Sequence, residues 1–422
     1  MMNSRERVLK AINHKETGKV PVDLGSNPSS GISAIAYSNL LKHLGMDHLP
    51  VQVYDVVQQL AQPQNEIIDL FGIDVLDIGR TFNEKPQHWH PTVLANGAEA
   101  FYPAWFNPEK DASGNWIAKH KSGIPIAKMP NGATFFDQTH FPWVDGYPDT
   151  MDGLDDAMSK VLWSAFVHSP WDNAEMPGFW DELRKRAIDL KASSDKALMI
   201  VAGCNLFEWG TFIRRMDNFM MDLYLEPVNT EKLLDALLEK HLETLSKVCE
   251  AVGDVVDIIR FGDDLGAMNG PFMDPEIYRS LFKPRHKQLC DFVKQNSNMH
   301  TFLHSCGSIY KLIPDLIDAG YDILNPMQTQ CTDMEPEKLK NEFGKEITFW
   351  GGGIETVGTL NNKSTEEVRA EVLERLEILS KGGGYVFNTV HNIMPDVPPE
   401  NIIAMFNAVK EFNGEPKIET IK

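Results

Sequence analysis

Cysteine and long apolar runs are both scarce in this chain, and each scarcity excludes a class of protein. Five cysteines among 422 residues, an odd number without regular spacing, do not make the framework of a secreted disulfide-rich protein. No run reaches the roughly 18 apolar residues of a membrane-spanning helix. The polar start MMNSRERVLK also lacks the apolar core of a signal peptide. The sequence therefore predicts a cytoplasmic protein with reduced thiols and no contact with a membrane.

Basic residues are outnumbered by acidic ones. The chain has 40 Lys and Arg against 60 Asp and Glu, a formal charge of -20, and no segment concentrates the basic residues into a patch. Such a surface repels phosphate backbones and anionic head groups. We expect no nucleic-acid partner, and the composition leaves the oligomeric state open.

Three common nucleotide-binding and hydrolase motifs are also missing. The sequence has no G-x-S-x-G elbow and no G-x-x-x-x-G-K-[ST] loop, which disfavours a nucleophilic hydrolase and a P-loop enzyme. No glycine-rich fingerprint follows the first predicted strand, which disfavours a doubly wound dinucleotide-binding sheet.

What the chain does contain is a series of short apolar segments that end in small or polar residues. Near-continuous apolar segments are typical of strands buried on both faces, and helix-like segments separate most of them. There are eight, at 20–25, 74–79, 197–203, 256–263, 299–306, 322–328, 347–354 and 385–393. Predicted helices lie at 230–252, 309–319, 365–381 and 399–412. Eight such units predict an α/β fold, a (β/α)8 TIM barrel formed by one domain over 1–422.

The segment 80–143 interrupts this rhythm. It is rich in Pro, Gly, Trp, Phe and His, alternates over 116–119, and has turn-forming residues at 111–114 and 130–132. We predict a β-rich insertion after the second strand. Loops after barrel strands open onto the active-site face, so the insertion is a candidate lid or docking element, although an elaboration remote from the chemistry is equally compatible.

The ends of the predicted strands carry metal-binding residue types. His304 and Cys306 are spaced i, i+2, which on an extended strand points both side chains to one face. With His391 from the last strand they would make a three-ligand site with an open position, as catalytic zinc requires. The alternative is a buried histidine and an inert core thiol.

Carboxylates at other strand ends are candidate catalytic groups. Asp263 and Asp264 close the fourth strand, and Glu208 follows the third in an apolar setting that would raise its pKa. For each, a role as a helix or loop cap is the alternative. The candidate substrate-binding residues are Trp209, Gly352 and Asn388.

Over nearly its whole length the chain resembles the uroporphyrinogen decarboxylase superfamily, and within it the corrinoid-dependent methyltransferase branch. The segments that carry the resemblance are RERVLKAINHKETGKVPVDLG, FGDDLGAMNGPFMDPEIY, FLHSCGSIYKLIPDLIDAGYDILNPMQ, WGGGIET and NTVHNIMPDVPPENIIAMFNAV. Members of the superfamily are (β/α)8 barrels, in agreement with the strand count.

The resemblance also implies a function. Porphyrinogen decarboxylases carry an arginine just after the first strand, where this chain reads SNPSSGIS, so decarboxylation of that substrate is disfavoured. The methyltransferases bind zinc through a His-x-Cys pair, which His304 and Cys306 match, and a cysteine near the eighth strand, where this chain has His391. That departure would make the site more electrophilic, which disfavours a thiol acceptor and favours a methyl donor whose oxygen or nitrogen leaving group needs electrophilic help.

The implied activity is zinc-dependent methyl transfer between a small methylated substrate and the cobalt of a corrinoid. The chain lacks the corrinoid-binding pattern Asp-x-His-x-x-Gly, so a separate corrinoid protein is the expected partner. Methoxylated aromatics, methylamines, methanol and methyl thiols all stay open as substrates. The alternatives are a methylcorrinoid:thiol methyltransferase, a decarboxylase that needs no metal, and a metal-dependent binding protein.

Overall fold

The core of the protein is a curled sheet of parallel strands wrapped by helices, in a computed structural model that describes residues 2–419. Seven of its strands follow one another around the sheet in chain order. They are Val75–Asp77, Ala197–Gly203, Ile258–Gly262, His300–His304, Ile323–Asn325, Thr348–Trp350 and Tyr385–Val386. These seven correspond to the second to eighth predicted strands.

The first predicted strand closes the sheet into a barrel. Val22 forms a parallel bridge with Phe387, beside hydrogen bonds of 2.9 Å from Asp23 N to the Phe387 carbonyl and 2.8 Å from Phe387 N to the Pro21 carbonyl. On its other side the Val22 carbonyl accepts from Asp74 N at 2.8 Å. The strand thus joins the last strand to the second, and the predicted (β/α)8 TIM barrel is confirmed.

Alternate residues of the strands fill the barrel, because side chains two apart on a strand share a face. The interior cluster is Val75, Ala197, Met199, Ile258, Phe302, Ile323, Trp350 and Val386, with Val8 and Ile12 of the first helix. The amino-terminal end of the barrel is therefore closed by apolar side chains, which leaves the carboxyl ends of the strands for ligands.

Helices cover the outside of the sheet. The longest is Pro227–Val252, which buries an apolar stripe that includes Leu234, Leu238 and Leu245. The others are Ser4–Ile12, Ala34–His43, Asn65–Phe71, Leu154–Ser159, Leu162–Ala165, Phe179–Ser193, Phe207–Arg214, Met216–Leu225, Pro275–Ile277, Lys283–Asn296, Ile313–Ala319, Pro336–Phe343, Thr365–Leu379 and Pro399–Phe412. The predicted helices at 230–252, 309–319, 365–381 and 399–412 are confirmed to within a few residues.

Antiparallel strands fill the segment after the second barrel strand, as predicted. One hairpin pairs Trp89–Val93 with Glu99–Pro103. A second sheet contains Glu109–Lys110, Trp116–Lys119, Pro125–Met129 and Asp137–Gln138. Three further short strands form a separate antiparallel sheet outside the barrel. They are Ile32–Ser33, Val53–Asp55 and Leu60–Ala61. The bounds 80–143 and the assignment of the whole chain to one domain stay predictions.

The aromatic side chains of this insertion mostly pack inward. Trp89 and Phe106 are buried, Phe101 and Trp116 are partly covered, and Trp105 is 39% exposed. A solvated loop would leave more of this surface exposed, so the insertion packs on the barrel.

The sequence predicts reduced thiols and no membrane-spanning segment. All five cysteines are free thiols, four of them buried and Cys306 partly accessible. In the part of the chain described, no helix combines the length and apolarity needed to span a bilayer.

Candidate active site

The fifth barrel strand presents His304 and Cys306 at its carboxyl end. The Cys306 sulfur lies 3.4 Å from His304 Nε2. His304 Nδ1 donates to Asn325 Oδ1 at 2.6 Å, and the amide orientation of Asn325 is set because its Nδ2 donates to the Trp350 carbonyl at 2.9 Å. This contact holds the proton of His304 on Nδ1 and leaves the Nε2 lone pair directed toward the cysteine.

His391 joins this pair from the segment after the eighth strand. The strand ends at Val386, and the backbone at His391 adopts a left-handed conformation with φ 75°. The ring centroids of His391 and His304 are 5.2 Å apart. The ligand atoms of His304, Cys306 and His391 all lie within 4.8 Å of one another.

Burial sets the protonation of these three side chains. It lowers the pKa of His304 to about 3, with Arg260 acting in the same direction, and it lowers the pKa of His391 to about 3, with His304 as the next cause. It raises the pKa of the Cys306 thiol well above its usual value, and the Asp264 carboxylate adds to this shift. Both imidazoles are therefore neutral at physiological pH, which is the form that binds metal.

The two adjacent aspartates have different surroundings. The Asp263 carboxylate is fully buried and accepts hydrogen bonds from Phe207 N at 3.0 Å, Glu208 N at 2.9 Å and His286 Nε2 at 3.1 Å. Asp263 thus caps the first turn of the helix Phe207–Arg214, and it does not line the cavity described below. These hydrogen bonds hold the start of that helix, and the catalytic role that the sequence suggests for Asp263 stays a prediction.

Asp264 faces the ligand cluster instead. Its Oδ1 accepts from Cys306 N at 2.8 Å and lies 3.5 Å from His304 Nε2. Burial raises the pKa of this carboxyl. Asp264 is therefore the member of the pair placed to act on the cluster.

A cavity of about 690 Å³ opens beside the cluster at the carboxyl ends of the strands. Five of the predicted site residues line it, namely Glu208, Trp209, Asp264, His304 and His391. Gly352 and Asn388, two of the predicted substrate-binding residues, do not. Asn388 is buried with its Nδ2 donating to the Asp23 carbonyl at 3.1 Å, and a Cβ at Gly352 would lie 3.2 Å from the Met327 Cβ.

Glu208 lies in the cavity wall at the start of its helix. Its Oε2 accepts from Asn205 Nδ2 at 2.5 Å. Burial, together with the charges of Asp264 and Asp263, raises the pKa of Glu208 to about 8. A carboxyl group that keeps its proton near neutral pH is able to act as a general acid.

Two residues of this region were not singled out from the sequence. Asn325, which orients His304, ends the sixth strand and looks like an ordinary strand-end polar residue. Arg260 lines the cavity from the fourth strand, on the same face as the interior residue Ile258. The signal in the sequence that could have identified Arg260 is a charged residue inside an otherwise apolar strand.

Fold and site together define a barrel protein with a three-ligand cluster and ionisable side chains at the carboxyl ends of its strands. The family model for uroporphyrinogen decarboxylase (URO-D) matches residues 207–412, which contain all three ligands of the cluster. This half of the chain therefore carries the pattern of that family, and the predicted resemblance to the superfamily is confirmed.

Individual relatives include decarboxylases and methyltransferases. The chain is 35% identical over 98 residues to uroporphyrinogen decarboxylase of Methylococcus capsulatus, covering 23% of this chain and 26% of that protein. It is 26% identical over 182 residues to the methylcobamide:CoM methyltransferase MtaA of Methanosarcina barkeri, covering 43% and 49%. The matched segments thus span about a quarter and about half of these curated relatives. The methyltransferase similarity is consistent with the corrinoid-dependent branch.

The fold extends over the whole described chain. A solved methyltransferase structure from Methanosarcina mazei superimposes with a TM-score of 0.59 at 19% identity, covering 98% of this chain and 99% of that one. At this identity the likeness shows a shared barrel fold.

Proposed function

We propose that this protein is a zinc-dependent methyltransferase that moves a methyl group between a small methylated substrate and the cobalt of a corrinoid carried by a separate protein. The convergence of His304, Cys306 and His391 within 4.8 Å beside the cavity carries the proposal. The similarity to methylcobamide:CoM methyltransferases supports this class of chemistry.

The three side chains suit a zinc ion. Two neutral imidazoles and one thiolate are donor types that zinc prefers, so Cys306 would release its proton on binding the ion. Three protein ligands leave a fourth position for substrate. Asn325 holds His304 in the tautomer that a ligand needs. When bound, the ion would supply Lewis acidity that stabilises negative charge on the heteroatom that loses the methyl group.

Other residues of the chain would complete the site. The protonated carboxyl of Glu208 would donate a proton to the leaving heteroatom. Asp264 holds the backbone of Cys306 through its amide and thereby fixes the direction of the thiol. Trp209 lies in the cavity wall, where its ring would help to exclude water from the reacting groups.

The local structure after the first strand disfavours a porphyrinogen decarboxylase. The segment 26–33 carries no arginine, and its polar side chains are buried and bonded to one another, for example Asn27 Nδ2 to Ser30 Oγ at 3.1 Å. The segment itself therefore supplies no cation to a substrate with many carboxylates, and Arg260, which donates to Ser29, offers such a substrate a single guanidinium.

The test supplies cob(I)alamin, or the corrinoid protein, under reducing conditions with a panel of methoxyarenes, methylamines, methanol and methyl thiols. Conversion of Co(I) to methyl-Co(III), followed by visible absorbance, is the expected result with at least one donor. Release of carbon dioxide from a carboxylated substrate without methylation of the corrinoid would instead identify a decarboxylase.

Replacing Asn325 by leucine tests how His304 is oriented. We expect the zinc affinity to fall about 10- to 100-fold, because the variant removes the acceptor of the Nδ1 proton while leaving all three ligands in place. Competition with a chromogenic chelator measures the affinity. Asn296→Leu, on an outer helix with Nδ2 bonded to the Phe292 carbonyl, is the matched control. Equal affinity in the two variants would contradict a role for Asn325.

A further inference from the structure

Arg260 is a buried cation that forms no salt bridge with any residue that the structure describes. Its side chain is 9% exposed, and its Nη2 donates to Ser29 Oγ at 2.7 Å. Its Nε has no hydrogen-bond partner, and within residues 2–419 no carboxylate oxygen lies within 4.0 Å of the guanidinium. A charge removed from water is strongly unfavourable unless an opposite charge pairs with it. An anion from outside the chain would satisfy this requirement.

The free side of Arg260 faces the cavity. Arg260 and Ser29 both belong to the cavity wall, and Gln58 lies in the same wall. Tyr54 has a second unpartnered buried polar atom, its hydroxyl oxygen, and the charge of Arg260 acts on the Tyr54 pKa. An unsatisfied buried polar group such as the Arg260 Nε calls for a partner, which a ligand in the cavity would supply.

The acidic residues of the wall do not replace this ligand. Asp55 uses its oxygens to accept from Val57 N at 3.0 Å and from Gln58 N and Nε2 at 2.9 Å. Burial raises the pKa of Glu208 to about 8. Burial lowers the pKa of Arg260 and the charges of Glu208 and Asp264 act to raise it, but neither carboxylate lies within 4.0 Å of its guanidinium. Asp264 accepts from the Cys306 amide. The guanidinium therefore remains free to pair with a ligand.

Aromatic side chains form a large part of the remaining wall. Six rings line the cavity, those of Phe135, Trp163, Phe166, Trp171, Trp209 and Phe212. Some of these rings pack against each other. The ring centroids of Trp163 and Phe212 are 6.1 Å apart, and those of Trp209 and Phe212 are 5.9 Å apart. Rings at these distances offer faces and edges to a flat apolar group. Methanol and methylamines are too small to use such a wall.

We propose that Arg260 and Ser29 form an anion-binding subsite, and that the methylated substrate is an aromatic carboxylate whose carboxylate group binds there. The planar guanidinium matches a carboxylate through two parallel hydrogen bonds, and the aromatic wall takes the ring. The assignment of the bound acid as the methyl donor rests on the proposed function. Binding of the acid requires neither a corrinoid nor turnover.

The test compares 4-methoxybenzoate with its neutral isostere 4-methoxybenzamide by calorimetry on the purified full chain, with and without its metal. Wild-type protein is expected to bind the acid about 10- to 100-fold more tightly than the amide in both states. Arg260→Gln should remove this preference while changing amide affinity little. Arg184→Gln, an exposed arginine paired with Asp254, is the matched control and should retain the preference.

Several outcomes would overturn the subsite. One is that wild-type protein binds the acid and the amide with equal affinity. Another is that Arg260→Gln lowers the affinity for both probes equally. The third is that the protein binds 4-methoxybenzenesulfonate more tightly than the acid. If Arg260→Gln does not fold, the variants Ser29→Ala and Arg260→Lys test the subsite instead. Each keeps the cation and should lower the affinity for the acid without lowering the affinity for the amide. Binding of the acid without methyl transfer from it would leave the subsite intact and refute the assignment of the acid as the methyl donor. The proposed function itself fails only if no donor of the panel methylates the corrinoid.

Discussion

Alanine at Cys306 or at His391 is expected to leave a folded barrel that holds little zinc and transfers methyl groups about a thousandfold more slowly. Wild-type protein purified without chelators should hold about one ion per chain. The loss follows from the geometry, because two remaining ligands leave the ion exposed to exchange with water. Both side chains lie at the carboxyl ends of the strands, outside the apolar interior cluster, so the barrel itself keeps its packing.

Metal analysis of the purified variants and methylation of cob(I)alamin measure the two effects. Cys249→Ala is the matched control, since Cys249 is a buried free thiol on the outer helix Pro227–Val252 and should affect neither quantity. Undiminished metal in both ligand variants would show that the ion binds elsewhere. Absence of metal from the wild-type protein would refute the zinc assignment.

The sequence predicts the barrel well because its pattern of apolar residues follows the burial of the strands. Apolar segments buried on both faces mark the strands, and the segment 197–203 coincides with the observed strand Ala197–Gly203. The last strand matches less well, since the prediction is 385–393 and the observed strand is Tyr385–Val386, followed by the bridge of Phe387 to Val22. Apolar residues continue beyond it, but the backbone turns away, and His391 needs a left-handed conformation that composition does not reveal.

The site is less predictable, because its roles depend on direction rather than on residue type. Asp263 and Asp264 are neighbours with the same chemistry, yet one caps a helix and the other contacts the Cys306 amide. Asp264 and not Asp263 lines the cavity, and this difference arises where the chain leaves the strand that ends at Gly262. Arg260 is a different case. The sequence shows that a cation lies inside an apolar strand, but only the structure shows that its Nε has no hydrogen-bond partner.

Replacing Asp263 by alanine is expected to lower the free energy of unfolding by about 3 to 5 kcal/mol, a large effect for one surface-remote side chain. The variant leaves Phe207 N, Glu208 N and His286 Nε2 without their acceptor inside a region that water does not reach. Backbone amides at a helix start that lose their cap in this way are among the costly buried groups. The midpoint of urea unfolding, followed by circular dichroism, measures the change.

The same variant separates a positioning role for Asp263 from a catalytic one. Glu208 is held by its own amide on Asp263, so loss of the cap should displace the Glu208 carboxyl and reduce methyl transfer in parallel with stability. Asp254→Ala, which removes an exposed carboxylate paired with Arg184, should leave both nearly unchanged. A variant at Asp263 that is as stable as wild type but inactive would assign the carboxylate to the chemistry itself. A stable and active variant would show that the helix start finds other acceptors.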